Sequence, residues 1–91
     1  MSVNRCIFCN KEAHGVHHLL FGSNRRLSDE DGLYYPICDS CHIAGKYRIH
    51  DNPTAERLSK MLGQALWELK EAGGNDEIRN KFIKRYGRNY L

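Results

Sequence analysis

Two Cys-x-x-Cys pairs, Cys6-Ile7-Phe8-Cys9 and Cys38-Asp39-Ser40-Cys41, bracket a His17-His18 doublet, and the second pair runs directly into His42. Each pair bends the chain into a knuckle that turns two thiolates toward one point, so two knuckles close a tetrahedral shell around zinc. The 28 residues between Cys9 and Cys38 are too many for a small finger and suit a shell built across a β-hairpin. Structural zinc on Cys6, Cys9, Cys38 and Cys41 is therefore the expected cofactor. Two disulfides would call for an oxidising compartment, which a sequence without an apolar N-terminal run does not imply. A thioredoxin-type redox pair would occur once, in a βαβ context that is missing here. The histidines outline a second metal site, of a kind that catalysis could use.

A chain of 91 residues makes one domain whose hydrophobic core would be marginal alone, and a metal is a common way to complete it. Zinc is thus expected to be a folding requirement. No apolar run is long enough to span a bilayer and no repeat appears, so the expectation is a soluble, cytoplasmic protein without membrane contact. The formal charge of +3 overstates the basic balance: four bound thiolates remove four and one zinc restores two, leaving +1. Any partner must be argued from where the charge sits.

The pattern divides the domain, residues 1–91, into a Cys-, His- and Gly-rich part over 1–50 and a helical extension over 51–91. Apolar runs at Val16 to Phe21 and Leu33 to Ile37 read as the strands of a hairpin, joined by a polar loop from Gly22 to Gly32. Asp39 to Lys46 reads as a short helix, capped by Asp39 or Ser40 and weakened or ended by Gly45. Farther on, Asn52 caps a helix with Pro53 in its first turn, where a missing N–H is tolerated. Leu58, Met61, Leu62, Ala65, Leu66 and Leu69 repeat along it at helical spacing, and Gly73-Gly74 should stop it. Trp67 lies off that stripe, where it would cover the zinc domain or mark a contact surface. A final helix from near Asn75 has Asp76 and Glu77 in its first turn, Lys84 and Arg85 in its last, and a stripe of Ile78, Phe82 and Tyr86. The fold class is α+β: a zinc-knuckle hairpin and helix, followed by two C-terminal helices.

The order Cys-x-x-Cys, His17-His18 on a first strand, a loop, a second strand and Cys-x-x-Cys-His42 opening a helix resembles the HNH nucleases and their ββα-metal motif. Pro36-Ile37-Cys38-Asp39-Ser40-Cys41-His42 is similar to the segment in which those proteins join zinc knuckle to helix. The chain most resembles short phage and prophage HNH-like proteins, through His17-His18-Leu19-Leu20-Phe21-Gly22, Asn24-Arg25-Arg26-Leu27-Ser28 and Tyr86-Gly87-Arg88-Asn89-Tyr90-Leu91.

The resemblance implies a metal-dependent DNA endonuclease or nickase in which His17 and His42 bind a catalytic divalent ion and His18 is the general base. The ion could be magnesium, manganese, nickel or zinc. One-metal hydrolysis needs a cation on the scissile phosphate and a base that deprotonates water, and imidazole titrates near neutrality. Adjacent strand residues face opposite ways, so His17 and His18 can take separate tasks. Family members often carry a further His one helical turn after His42, but that position is Lys46 and the next His is His50. An unbroken helix would put His50 about 12 Å along the axis from His42, so His50 joins the ligands only if the chain turns back near Gly45. The family also steadies the base-bearing loop with an Asn near the position of Leu33; here Asn24, across the loop, is the candidate. His14 is expected to be exposed and outside the site.

Phosphate contacts would use Arg25 and Arg26 on the loop and Lys46 and Arg48 near the presumed metal. Lys81, Lys84, Arg85 and Arg88 form a further basic group, while Asp29-Glu30-Asp31 keeps the loop from being uniformly basic. No base-reading module is visible, so weak sequence preference is expected on DNA. The alternative class is a non-catalytic zinc module that binds nucleic acid or a host or phage protein, which would need the cysteines but not His17, His18 and His42. A structural zinc-ribbon subunit, with Trp67 and exposed tyrosines as contacts, is the third.

Overall fold

The computed structural model describes residues 4–44, 48–71 and 75–91. Strand β1, Gly15–His18, pairs antiparallel with β2, Tyr34–Ile37, in the register Gly15 to Ile37 and His17 to Tyr35. The expected loop between them holds a single 3-10 turn, Gly22–Asn24, and a short helix α1, Arg25–Glu30. A lone bridge between Arg5 and Glu12 folds the first cysteine knuckle, and Ile7 N–H donates to the Pro36 carbonyl (3.0 Å), tying that knuckle to β2. After β2 comes one wide π-type turn, Ser40–Ala44, within the segment from Asp39 to Lys46 that is expected to be a short helix. Gly45 and Lys46 lie outside the described residues, as does the expected Gly73-Gly74 stop.

Helix α2, Pro53–Lys70, begins as the sequence indicates: the Asn52 carboxamide oxygen accepts from Thr54 N–H and Ala55 N–H. Helix α3, Asp76–Tyr86, is capped by Asn75 through Ile78 N–H (3.0 Å) and ends on Gly87 at φ 89°, a left-handed conformation that glycine adopts without a Cβ penalty. Among the described residues no helix is long and apolar enough to cross a membrane.

The burial of α2 departs from its apolar stripe. Leu58 and Leu69 are 55% and 72% exposed, whereas Ser59, Gly63, Gln64, Trp67 and Glu68 are buried. The buried face is turned by about one residue, roughly 100°, from the one that hydrophobicity marks. Each buried polar group on it has a partner, as burial demands. Ser59 donates to the Leu19 carbonyl (2.9 Å), Gln64 donates to Glu68 (2.8 Å), and Arg79 of α3 donates to Glu68 (3.3 Å). Gly63 is needed because a Cβ there would lie 2.9 Å from Leu20 Cγ. Trp67 is a core residue rather than a contact surface: it is 8% exposed and packs edge-on to Phe82, ring centroids 5.5 Å apart. These two join Leu20, Leu33 and Tyr86 in the main apolar cluster, which α2 and α3 share with the ends of the hairpin strands.

A second, smaller cluster consists of Cys6, Ile37, Cys38 and Ile49, so half of its buried members are cysteines. The end of α1 is tied to α3 by Asp31, whose carboxylate accepts from Arg85 Nε (2.8 Å) and from the Tyr86 hydroxyl (2.5 Å). Burial alone would raise the Asp31 pKa, but those bonds outweigh it and hold the carboxyl below its ordinary range.

Candidate metal centre and the histidine cleft

The four cysteines meet as their spacing foretells. All four are free thiols, their sulfurs lie within 4.8 Å of one another, and Cys9 Sγ is 3.5 Å from Cys38 Sγ. Four thiolates around zinc at ~2.3 Å have sulfurs about 3.8 Å apart, so this set could hold a metal ion such as zinc with little adjustment. The separations are far above the ~2.05 Å of a disulfide, which sets aside the disulfide alternative. Local backbone builds each knuckle. Cys6 N–H donates to the Lys11 carbonyl (2.7 Å), the left-handed Asn10 (φ 64°) donates back to the Cys6 carbonyl, and His42 N–H donates to the Cys38 carbonyl (3.1 Å). Burial would raise Cys6, but N–H groups of Cys38, Phe8 and Cys9 around its sulfur bring it down to about 6. Burial and then the neighbouring sulfurs of Cys38, Cys9 and Cys6 push Cys41 up. Four thiols this close cannot all ionise alone, and a divalent cation removes that conflict.

Three imidazoles converge next to this shell. One nitrogen each from His17, His42 and His50 lies within 4.8 Å of the others, and the Nε2 atoms of His42 and His50 are 2.9 Å apart. His50 reaches His42 because the chain does turn back: Ile49 N–H donates to the Cys41 carbonyl (2.8 Å) and His50 N–H to the His42 carbonyl (3.4 Å). Cys41 and His42 share the π-type turn, so the thiol shell and the imidazole group are set by one piece of backbone. His17 is 2% exposed and its Nε2 is 2.8 Å from Ser59 Oγ. A hydroxyl has one proton, and that of Ser59 is donated to the Leu19 carbonyl. Ser59 must therefore accept from His17 Nε2–H, which leaves Nδ1 of His17 with its lone pair free. Burial, and then the His42, His50 and His18 imidazoles, push His17 down to about 3, and burial and then His50 lower His42. Neutral imidazole is the form that can donate to a metal.

His18 takes a separate direction from β1, as strand alternation requires. Its Nε2 is 3.1 Å from Asp29 Oδ1 of α1, and its ring lies beside Tyr34. A carboxylate only accepts, so His18 presents Nε2–H to Asp29 and keeps Nδ1 as its acceptor. A cleft of about 390 Å³ is lined by His17, His18, Phe21, Arg25, His42 and His50, and thus contains the whole histidine set. Arg26 lines an adjoining cleft with His18, Arg25 and Asp29.

Other expected site residues sit elsewhere. The Asn24 amide donates to the Tyr86 carbonyl (3.1 Å) at the end of α3, whereas the side chain bonded to His18 is that of Asp29. Arg48 is engaged by Asp51 (2.6 Å), which answers its charge locally. His14 is exposed, as expected. Sequence reasoning missed Ser59 and Asp29, the two residues that orient the doublet. Asp29 was visible only as part of an acidic run, and Ser59 only as a polar gap in an apolar helix. Set against protein-family models, curated proteins and solved structures, the chain matches none.

Proposed function

We propose that the chain is a metal-dependent DNA endonuclease or nickase of HNH type, with zinc on the four cysteines and a second divalent ion on His17, His42 and His50. The observation that carries this reading is the convergence of three imidazoles beside a fourth, differently oriented one in a single cleft. The donor set fits such an ion: His17 offers a bare Nδ1 in a fixed tautomer, and His42 and His50 bring their Nε2 atoms together. Magnesium, manganese, nickel or zinc bound there supplies neutralisation of charge at the scissile phosphate and its leaving oxygen.

The protein's own groups do the rest. His18 Nδ1 accepts a proton from the attacking water, while Asp29 holds the ring through Nε2–H. Arg25, exposed on the cleft wall, meets the phosphate charge. Ser59 and the Leu19 carbonyl hold His17 by a relay from behind. The metal content of purified protein tests the reading: two ions per chain are expected, and one ion that resists further loading would contradict it.

The Ser59 relay leads to a sharper expectation. Ser59→Ala removes the acceptor that fixes the His17 tautomer, so affinity for the second ion should fall about 10- to 100-fold. The thiol-bound zinc should stay in place. Calorimetric titration of the zinc-loaded variant with manganese measures this, and unchanged affinity would contradict the relay.

A further inference from the structure

The C-terminal residues are pinned rather than trailing. Buried Gln64 of α2 donates to Asn89 Oδ1 (2.8 Å) and accepts from Tyr90 N–H (2.6 Å), which ties the tail to α2. Between tail and helix runs an open groove of about 440 Å³, lined by Glu56, Arg57, Lys60, Arg88 and Tyr90 among others. Its charge is uneven. Three cations face one carboxylate, and that carboxylate, Glu56, is bound to Lys60 (3.0 Å). Arg57 is exposed and makes no ion pair among the described residues. Arg88 and Lys60 both lie over the Tyr90 ring, at 5.1 and 5.9 Å, so the aromatic surface holds the cations at the groove.

The groove and the histidine cleft approach each other at the Phe21 ring. Phe21 lines that cleft, its ring 4.9 Å from His50, and Lys60 Nζ of the groove sits 4.8 Å from the centre of the same ring. A polyanion seated at the imidazoles would pass Phe21 and meet Lys60, Arg57 and Arg88 next. We propose that this groove is a second phosphate-binding site, which grips the nucleic-acid backbone beyond the scissile phosphate. The inference rests on the nuclease reading for its direction. An isolated acidic ligand would need neither the groove's length nor its approach to the cleft, and a backbone with a charge on every nucleotide uses both.

The test is binding of a fluorescent DNA duplex to the full zinc-loaded chain without other divalent ions, across a salt series. Arg57→Gln with Arg88→Gln should lower the log-log salt slope by about two and weaken binding at least about tenfold at low salt. Arg57→Gln alone, at an exposed position with no packing role, should lower the slope by about one, and Lys81→Gln on the far helix should leave it unchanged. Unaltered slope and affinity in a double variant that keeps the parent melting temperature would overturn the groove, even if the wild type cleaves DNA. Poly-glutamate that displaces DNA as well as an equal length of unlabelled duplex would also overturn it, in favour of an acidic protein partner. If instead the wild type binds without ever cleaving, and the double variant still loses slope, the groove stands and the nuclease reading falls.

Discussion

His18→Ala is expected to reduce DNA cleavage by roughly two to four orders of magnitude, the usual scale for loss of a general base, while both metal sites and DNA affinity persist. The separation follows from geometry. His18 leaves β1 toward Asp29 and Tyr34, and His17 leaves it toward Ser59, His42 and His50. Removal of the His18 ring therefore takes away a proton acceptor without touching the imidazole trio. His42→Ala should behave differently, losing the second ion and the activity together while zinc remains in its thiol shell. The pair is measured by single-turnover cleavage alongside metal analysis of each variant. If His18→Ala cleaved at the wild-type rate, the base would lie elsewhere.

Cys38→Ser is expected to unfold the N-terminal half. Structural zinc in small peptides contributes an apparent ~10–16 kcal/mol at neutral pH, which equals or exceeds the ~5–15 kcal/mol by which whole domains are stable. The local apolar cluster cannot compensate, because two of its four buried residues are themselves cysteines of the shell. The effect should spread to the histidine cleft, since the π-type turn carries both Cys41 and His42. Chelation of the parent should lower its melting temperature in the same way. Calorimetry of parent, chelated parent and variant makes the check; a metal-free chain with unchanged melting would show that zinc is not needed for the fold.

The sequence carried the local rules well. Cysteine spacing announced a four-sulfur cluster, Asn52 and Asn75 announced helix starts, and the chain was expected to turn back if His50 was to join His42. Each of these depends on a few neighbouring residues. The misreadings involve contacts between distant residues. Hydrophobic spacing placed Leu58 and Leu69 inside, but α2 buries Ser59, Gln64 and Glu68 because His17, the tail and Arg79 supply their hydrogen bonds. Helix α1 leaves no helical signal in the sequence because its six residues, Arg25–Glu30, contain only one apolar side chain to mark a buried face. The roles of Asp29 and Asn24 were hidden for a related reason: both depend on which element packs behind the residue after folding.

Nicking of supercoiled plasmid by the zinc-loaded chain tests the central claim most directly. Added magnesium, manganese or nickel should yield open-circular product that is absent without the ion and absent with His18→Ala. A chain that holds a single zinc and leaves the plasmid supercoiled with every ion would contradict the account, and a zinc-stabilised binding module would take its place.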